Sequence, residues 1–151
     1  MAEIKNLSLI KEVDLFKDLS DDELSRILYM AFVKDYETDL LLFNEGQEGN
    51  VMFIILSGEV QLFKKDKNNE NKLILTLKDS EFFGEMSLIE NQARSTSARI
   101  SKPTKMLVIT KRAFQNMLDA DPHITSKLLM KFLKILSERL RKTTSKYLQG
   151  N

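Results

Sequence analysis

The stretch Phe82-Phe83-Gly84-Glu85-Met86-Ser87-Leu88, followed at a short distance by Arg94-Ser95-Thr96, concentrates residue types suited to a charged, hydroxylated ligand. Gly84 sits between a strand-like apolar pair and a short helix-like run. Without a Cβ it lets a ligand approach the backbone, and the start of the run would present N–H groups to an anion. Glu85 stands at that junction, and Arg94 follows nine residues later. A guanidinium is a planar fork that meets a phosphate at two points. A carboxylate accepts only, so it suits a sugar hydroxyl that must donate. Together the pair could grip a sugar and a phosphate. The same residues also describe a surface turn with an ordinary Glu–Arg ion pair, and the residues alone leave both readings open.

The elements that must position these residues change character along the chain. Leu7, Ile10, Val13 and Phe16 recur at helix-like spacing, and Ser20-Asp21-Asp22-Glu23 is a capping-box sequence opening a second helix with Leu24, Ile27 and Leu28 on one face. From about Ala31 the period shortens. Apolar runs at Phe32–Val33, Leu40–Phe43, Val51–Leu56, Val60–Phe63, Leu73–Leu77 and Met106–Ile109 are separated by polar or glycine-containing turns, with a polar hairpin tip over Lys64–Lys72. Many short strands at close intervals predict a barrel or jelly roll. Helical patterning returns at Thr110, which can cap a helix through Leu118, and Asp121-Pro122 opens a long helix to about Leu148. The expectation is one domain over 1–151: helices, a β-roll over about 31–110, and C-terminal helices over about 111–148.

With these elements in place, the segment resembles the phosphate-binding cassette of the cyclic-nucleotide-binding domains, the family of sensor domains found in the catabolite activator protein and in protein kinase A regulatory subunits. Phe83-Gly84-Glu85, then Ser87-Leu88, then Arg94 meet the cassette pattern without a gap. Phe43-Asn44-Glu45-Gly46 and Phe53–Val60 resemble two further stretches of the family. The resemblance implies a mainly β fold, an eight-stranded β-roll with N-terminal helices and C-terminal B and C helices. It implies that Arg94 binds the oxygens of a cyclic phosphate and Glu85 the ribose 2′-hydroxyl, with cAMP or cGMP as ligand. Gly84, Met86 and Ser87 would offer backbone groups, and Ser95 and Thr96 supply hydroxyls behind the arginine. Arg139, Thr143 and Thr144 fall where the C helix would reach the nucleotide. Two departures are visible: Ser80-Glu81 stands where relatives often have Gly-Asp, and Asp39 stands at a turn glycine. Aspartate tolerates left-handed backbone better than most residues.

The final helix carries a heptad seam, Leu129, Leu133, Leu136, Leu140, Thr143 and Tyr147, beside a second strip of Leu128, Phe132 and Ile135. One strip can pack on the roll; the other then asks for a partner, and the expectation is a homodimer through this helix, with an effector protein as a further partner. Composition removes other classes. The chain has 151 residues, no cysteine, one histidine (His123) and a formal net charge of +1. Disulfides and thiolate chemistry are excluded, and a metal-dependent enzyme on a jelly roll would need more histidines than one outside the roll. The expectation is no catalysis, no metal and no cofactor beyond the nucleotide ligand. Met1–Asn6 lacks a signal-peptide pattern and no apolar run approaches a membrane span, so the expected location is cytoplasmic, away from membranes. Lys127, Lys131, Lys134, Arg139, Arg141, Lys142 and Lys146 make the last helix basic. The sequence stops at Asn151, short of the residues that a helix-turn-helix would need. Direct DNA binding is therefore not expected; a regulator acting on DNA through a partner or this basic helix is the alternative.

Overall fold

A computed structural model describes residues 7–150; residues 1–6, read above as lacking a signal-peptide pattern, and the final residue 151 lie outside the described residues. Helix α1 (Leu7–Lys11) is followed by a 3-10 turn (Asp14–Phe16), α2 (Asp21–Leu28), strands β1 (Phe32–Tyr36), β2 (Leu41–Phe43), β3 (Val51–Lys65), β4 (Asn71–Leu77) and β5 (Phe82–Phe83). Then come the single-turn α3 (Met86–Ile89), β6 (Ser97–Thr110), α4 (Lys111–Ala120) and α5 (Pro122–Gln149).

Six strands, not eight, are present among the described residues, and all pairs are antiparallel. The difference lies in two long strands that each serve both halves of the roll. The first part of β3 pairs with β5 at Phe53 and Ile54, and its last part, Val60–Lys65, pairs with β4. Likewise β6 pairs with β2 near Ala98–Arg99 and with β1 over Thr104–Val108. Register shifts between Ile55 and Val60, where the two long strands run side by side, mark the bend. Each long strand thus does the work of two expected ones, and the eight-strand roll survives with fewer breaks.

The apolar patterning follows the two faces. Phe53 and Ile55 face the roll interior with Phe43, Val60, Phe83, Ile100 and Met106. Met52, Ile54 and Leu56 face outward but are covered by helices, together with Phe16, Leu24, Phe82, Phe114 and Phe132. A strand buried on both faces reads as a continuous apolar run, which is why Val51–Leu56 does not alternate. Phe82 and Phe83 point into different cores: Phe82 meets Phe132 of α5 edge-on at 4.8 Å, while Phe83 stacks on Phe53 at 5.1 Å. This dipeptide, immediately before Gly84, ties the roll interior to the helical layer.

The capping box forms as expected, with the Ser20 hydroxyl accepting from Glu23 N and the Glu23 carboxylate accepting from Ser20 N. Thr110 caps α4 through Ala113 N. Two local expectations change. The first helical stretch breaks into α1 and a 3-10 turn, because an apolar residue every third position matches a three-residue turn better than 3.6. Asp121 stands before α5 without a side-chain cap; its carboxylate accepts from Arg26 at 3.1 Å. Asp39 does adopt left-handed backbone, at φ +69.

Candidate functional site

Arg94 lies in the loop between α3 and β6, and its main chain is fixed on both sides to the turn before β3. Its N–H donates to the Gln47 carbonyl at 2.7 Å, and its carbonyl accepts from Gly46 N at 2.9 Å. The guanidinium lies over the Phe43 ring, with Cζ 4.1 Å from the centroid. Phe43 in turn belongs to an aromatic cluster with Phe53 and Phe83. A desolvated cation on an aromatic face gains about 2 kcal/mol, so the side chain is held from behind. Two glycines make room for it: a Cβ on Gly84, whose φ is +79, would come 2.7 Å from Arg94 Nη1, and one on Gly49 would strike the same guanidinium. The result is a side chain only 7% exposed whose Nη1 is buried and has no hydrogen-bond partner. Such donors are rare in folded proteins because leaving one unmade costs about 1–3 kcal/mol, more for a charged group.

Glu85 sits across the same pocket, 9% exposed. Burial pushes its pKa above the ordinary value of 4.5; a bond from its own backbone N–H and the charges of Arg139 and Arg94 pull the other way without prevailing. Burial likewise lowers the pKa of Arg94, with Glu85 opposing. Among the described residues, the Glu85 carboxylate pairs with Arg139 of α5, at a loose 3.9 Å, and not with Arg94. Arg139 is itself anchored: Nη2 donates to the Phe82 carbonyl at 2.6 Å, and the guanidinium lies over the Phe82 ring at 4.5 Å.

The pocket between these groups encloses about 470 Å³, part of it open to solvent. Its walls include eight of the ten residues expected from sequence: Gly84, Glu85, Met86, Ser87, Arg94, Ser95, Thr96 and Arg139. Thr143 and Thr144 are not among them. Both are exposed one turn beyond Arg139, with their hydroxyls donating to the Arg139 and Leu140 carbonyls at 2.9 Å. The single turn of α3 also differs from expectation, because the N–H groups of Ser87 and Leu88 are used by the Gly84 and Glu85 carbonyls. Phe43, Leu62, Phe83 and Ala93 complete the lining. Sequence reasoning placed Phe43 and Leu62 in strands but did not assign them to the pocket. An apolar residue facing a cavity has the same pattern as one facing the core.

Chemically, the pocket offers a cation with an unsatisfied donor, a buried acceptor-only carboxylate and an apolar side. That set suits an anion attached to a hydroxylated ring with one greasy face. No group of three or more His, Cys, Asp or Glu that could hold a metal occurs among the described residues.

Comparison with known proteins agrees with this reading. A family profile described as "Cyclic nucleotide-binding domain" matches residues 33–121, more than half of the chain. Human cGMP-dependent protein kinase 2 is 32% identical over 91 residues, 60% of this chain but only 12% of that protein. The CRP-like cAMP-activated global transcriptional regulator of Mycobacterium tuberculosis is 22% identical over 91% of this chain and 59% of its own length. The crystal structure of a cyclic nucleotide-binding domain from Methylobacillus flagellatus superposes with a TM-score of 0.89 at 24% identity, covering 97% of this chain and 85% of the other. Thermus thermophilus catabolite activator protein superposes at 0.77 with 25% identity, covering 89% and 61%.

Proposed function

The chain belongs to the cyclic nucleotide-binding domain family, and on that premise we propose that it is a sensor module that holds cAMP or cGMP without transforming it. The observation that carries this reading is the buried Arg94 Nη1 without a partner, on a residue that lines a pocket shared with the desolvated Glu85. A phosphate oxygen would satisfy the first, and a ribose 2′-hydroxyl would donate to the second. Calorimetric titration with cAMP, cGMP and 5′-AMP tests it. Saturable binding of a cyclic nucleotide, with 5′-AMP much weaker, is expected; equal or absent binding of all three contradicts it.

The same reading includes a homodimer through α5, in the cytoplasm, acting on an effector protein. The strip of Leu128, Phe132 and Ile135 packs on the helical core, and Leu129 and Leu136 of the expected seam pack partly against it as well, so that only Leu133, Leu140, Thr143 and Tyr147 of the seam are exposed. From residue 141 onward every described position of α5 is exposed. A helical segment of that length is marginal by itself in water, and symmetric pairing covers it. Leu140→Glu should convert a dimer to monomers in analytical ultracentrifugation; a parent protein monomeric at about tens of micromolar, where ordinary dimer affinities are already saturated, contradicts pairing.

A second reading, action on DNA through a partner or the basic face of α5, draws on the similarity to the M. tuberculosis regulator. Against it, three of the seven cations on that helix are engaged elsewhere: Lys127 with Glu23, Lys131 with Asp14 and Asp18, and Arg139 with Glu85. A mobility-shift assay at physiological salt separates the two readings.

A further inference from the structure

Beside the pocket, outside its lining, Lys64 near the end of β3 makes two contacts that cross three segments of the chain. Its ammonium donates to the Ser95 carbonyl at 2.9 Å and to the Glu45 carboxylate at 3.0 Å. The other oxygen of Glu45 accepts from Lys65 N at 3.1 Å, and Glu45 N donates to the Ser97 hydroxyl at 2.8 Å. Glu45 therefore answers to β3 through its side chain and to the start of β6 through its backbone. These bonds and the lysine's charge hold its pKa below the ordinary carboxylate value, so it stays charged and keeps Lys64 in place.

What Lys64 grips is the peptide between Ser95 and Thr96, and both of those residues line the pocket. The preceding peptide plane is held separately, by Gly46 N on the Arg94 carbonyl. Fixing two successive carbonyls sets the path of the wall that follows Arg94, since each trans peptide is a rigid plane with its N–H opposed to its carbonyl. Without Lys64, nothing among the described side-chain bonds takes the Ser95 carbonyl. That peptide could then turn its oxygen, a partial negative charge, toward an arriving anion.

We propose that Lys64, seated by Glu45, is a positioning residue for the ligand pocket, holding the Ser95–Thr96 wall in the orientation that receives a cyclic nucleotide. The inference rests on the cyclic-nucleotide reading above. The pair lies on the surface, with both side chains substantially exposed, so its contribution to global stability is small. Its effect belongs in ligand affinity.

The test titrates cAMP into the parent, Lys64→Met and Lys64→Arg, and records for each ligand-free protein the melting midpoint and the amide nitrogen–proton spectrum. Methionine keeps the length and loses the donors; arginine keeps donors for both acceptors. Lys64→Met should bind cAMP about three- to tenfold more weakly, the scale of one misplaced hydrogen-bonding group. Lys64→Arg should recover most of the loss, the ligand-free midpoints should coincide, and amide shifts in the methionine variant should concentrate at residues 95–97. Parent-like affinity in Lys64→Met, an arginine variant as weak as the methionine one, or a weakening that tracks a fall in melting midpoint would each overturn the positioning role. A parent that binds neither cAMP nor cGMP is a different result: it removes the cyclic-nucleotide reading itself, and this inference with it, whereas a parent that binds only cGMP carries the same test with cGMP as the titrant.

Discussion

Two charged regions of this molecule contain similar residues and treat them in opposite ways. Where α5 meets the N-terminal helices, Glu23, Asp14, Asp18 and Asp121 are each answered by a basic side chain. Glu23 accepts from Ser20 N in the capping box and from Lys127 at 3.0 Å, and its pKa falls to about 2. Asp14 and Asp18 share Lys131, and Arg26 bonds Asp121. In the pocket, Glu85 and Arg94 are more deeply buried and less well partnered, and burial moves both pKa values toward neutrality. The first region is an ordinary brace that orients α5 on the body of the fold. The second maintains charge where the fold alone gains little from it, which is what a site must do if a ligand is to supply the missing partner.

The contrast can be broken most forcefully at Arg94. Arg94→Ala should weaken cAMP binding by about thirty- to several-thousandfold, the range for removing one partner of a buried charge pair. Calorimetry that finds parent-like affinity would place the phosphate elsewhere. Glu85→Gln is a milder change, expected at about tenfold for cAMP, because one charge-assisted hydrogen bond is replaced by a neutral one. A 2′-deoxy cyclic nucleotide should bind the parent and this variant nearly alike. Equal losses for both ligands would make Glu85 a scaffold residue.

Acid sharpens the comparison, because the two glutamates carry opposite signs. Glu23 has a lowered folded-state pKa, so its contribution to stability is present above the ordinary value of 4.5 and is lost as pH falls toward about 2. Glu85 has a raised one, so the fold favours its neutral form and ligand-free stability gains from it as pH falls through that raised value. Melting midpoints across pH should show Glu23→Gln losing its deficit relative to parent in acid. Glu85→Gln should match or exceed the parent at neutral pH and lose that advantage in acid. cAMP affinity of the parent should decline over the same acidic window as Glu85 protonates, and the glutamine variant should lack that decline.

The cassette was legible in sequence because its chemistry confines particular residue types to a fixed spacing within one continuous segment. Arg94, Glu85 and the small residues beside them are brought together as that spacing implies. Arg139 reaches the pocket from a distant helix, and Thr143 and Thr144, inferred on the same ground, do not. Their place depends on how α5 leaves the roll, which is set by Leu128 and Phe132 packing on the core and not by local pattern. The bends of β3 and β6 were equally hidden, since a strand that turns through a register shift keeps its apolar rhythm. Ser80 shows a departure whose consequence only the structure reveals. It holds left-handed backbone at φ +76, and its hydroxyl accepts from Asp14 N at 2.7 Å, tying the turn before the cassette to the N-terminal segment. A glycine there would relieve the backbone and lose the tie.

The central claim is that the pocket's charges are kept for a ligand and not for the fold, and Arg94→Met tests it most directly. Methionine fills much of the same space over Phe43 without a charge or an unmet donor. Thermal melts of parent and variant, each with and without saturating cAMP, give both halves of the answer. The account predicts that the ligand-free variant melts at or above the parent, and that cAMP raises the midpoint of the parent alone. A variant that melts well below the parent, or whose midpoint cAMP raises as much as the parent's, contradicts it.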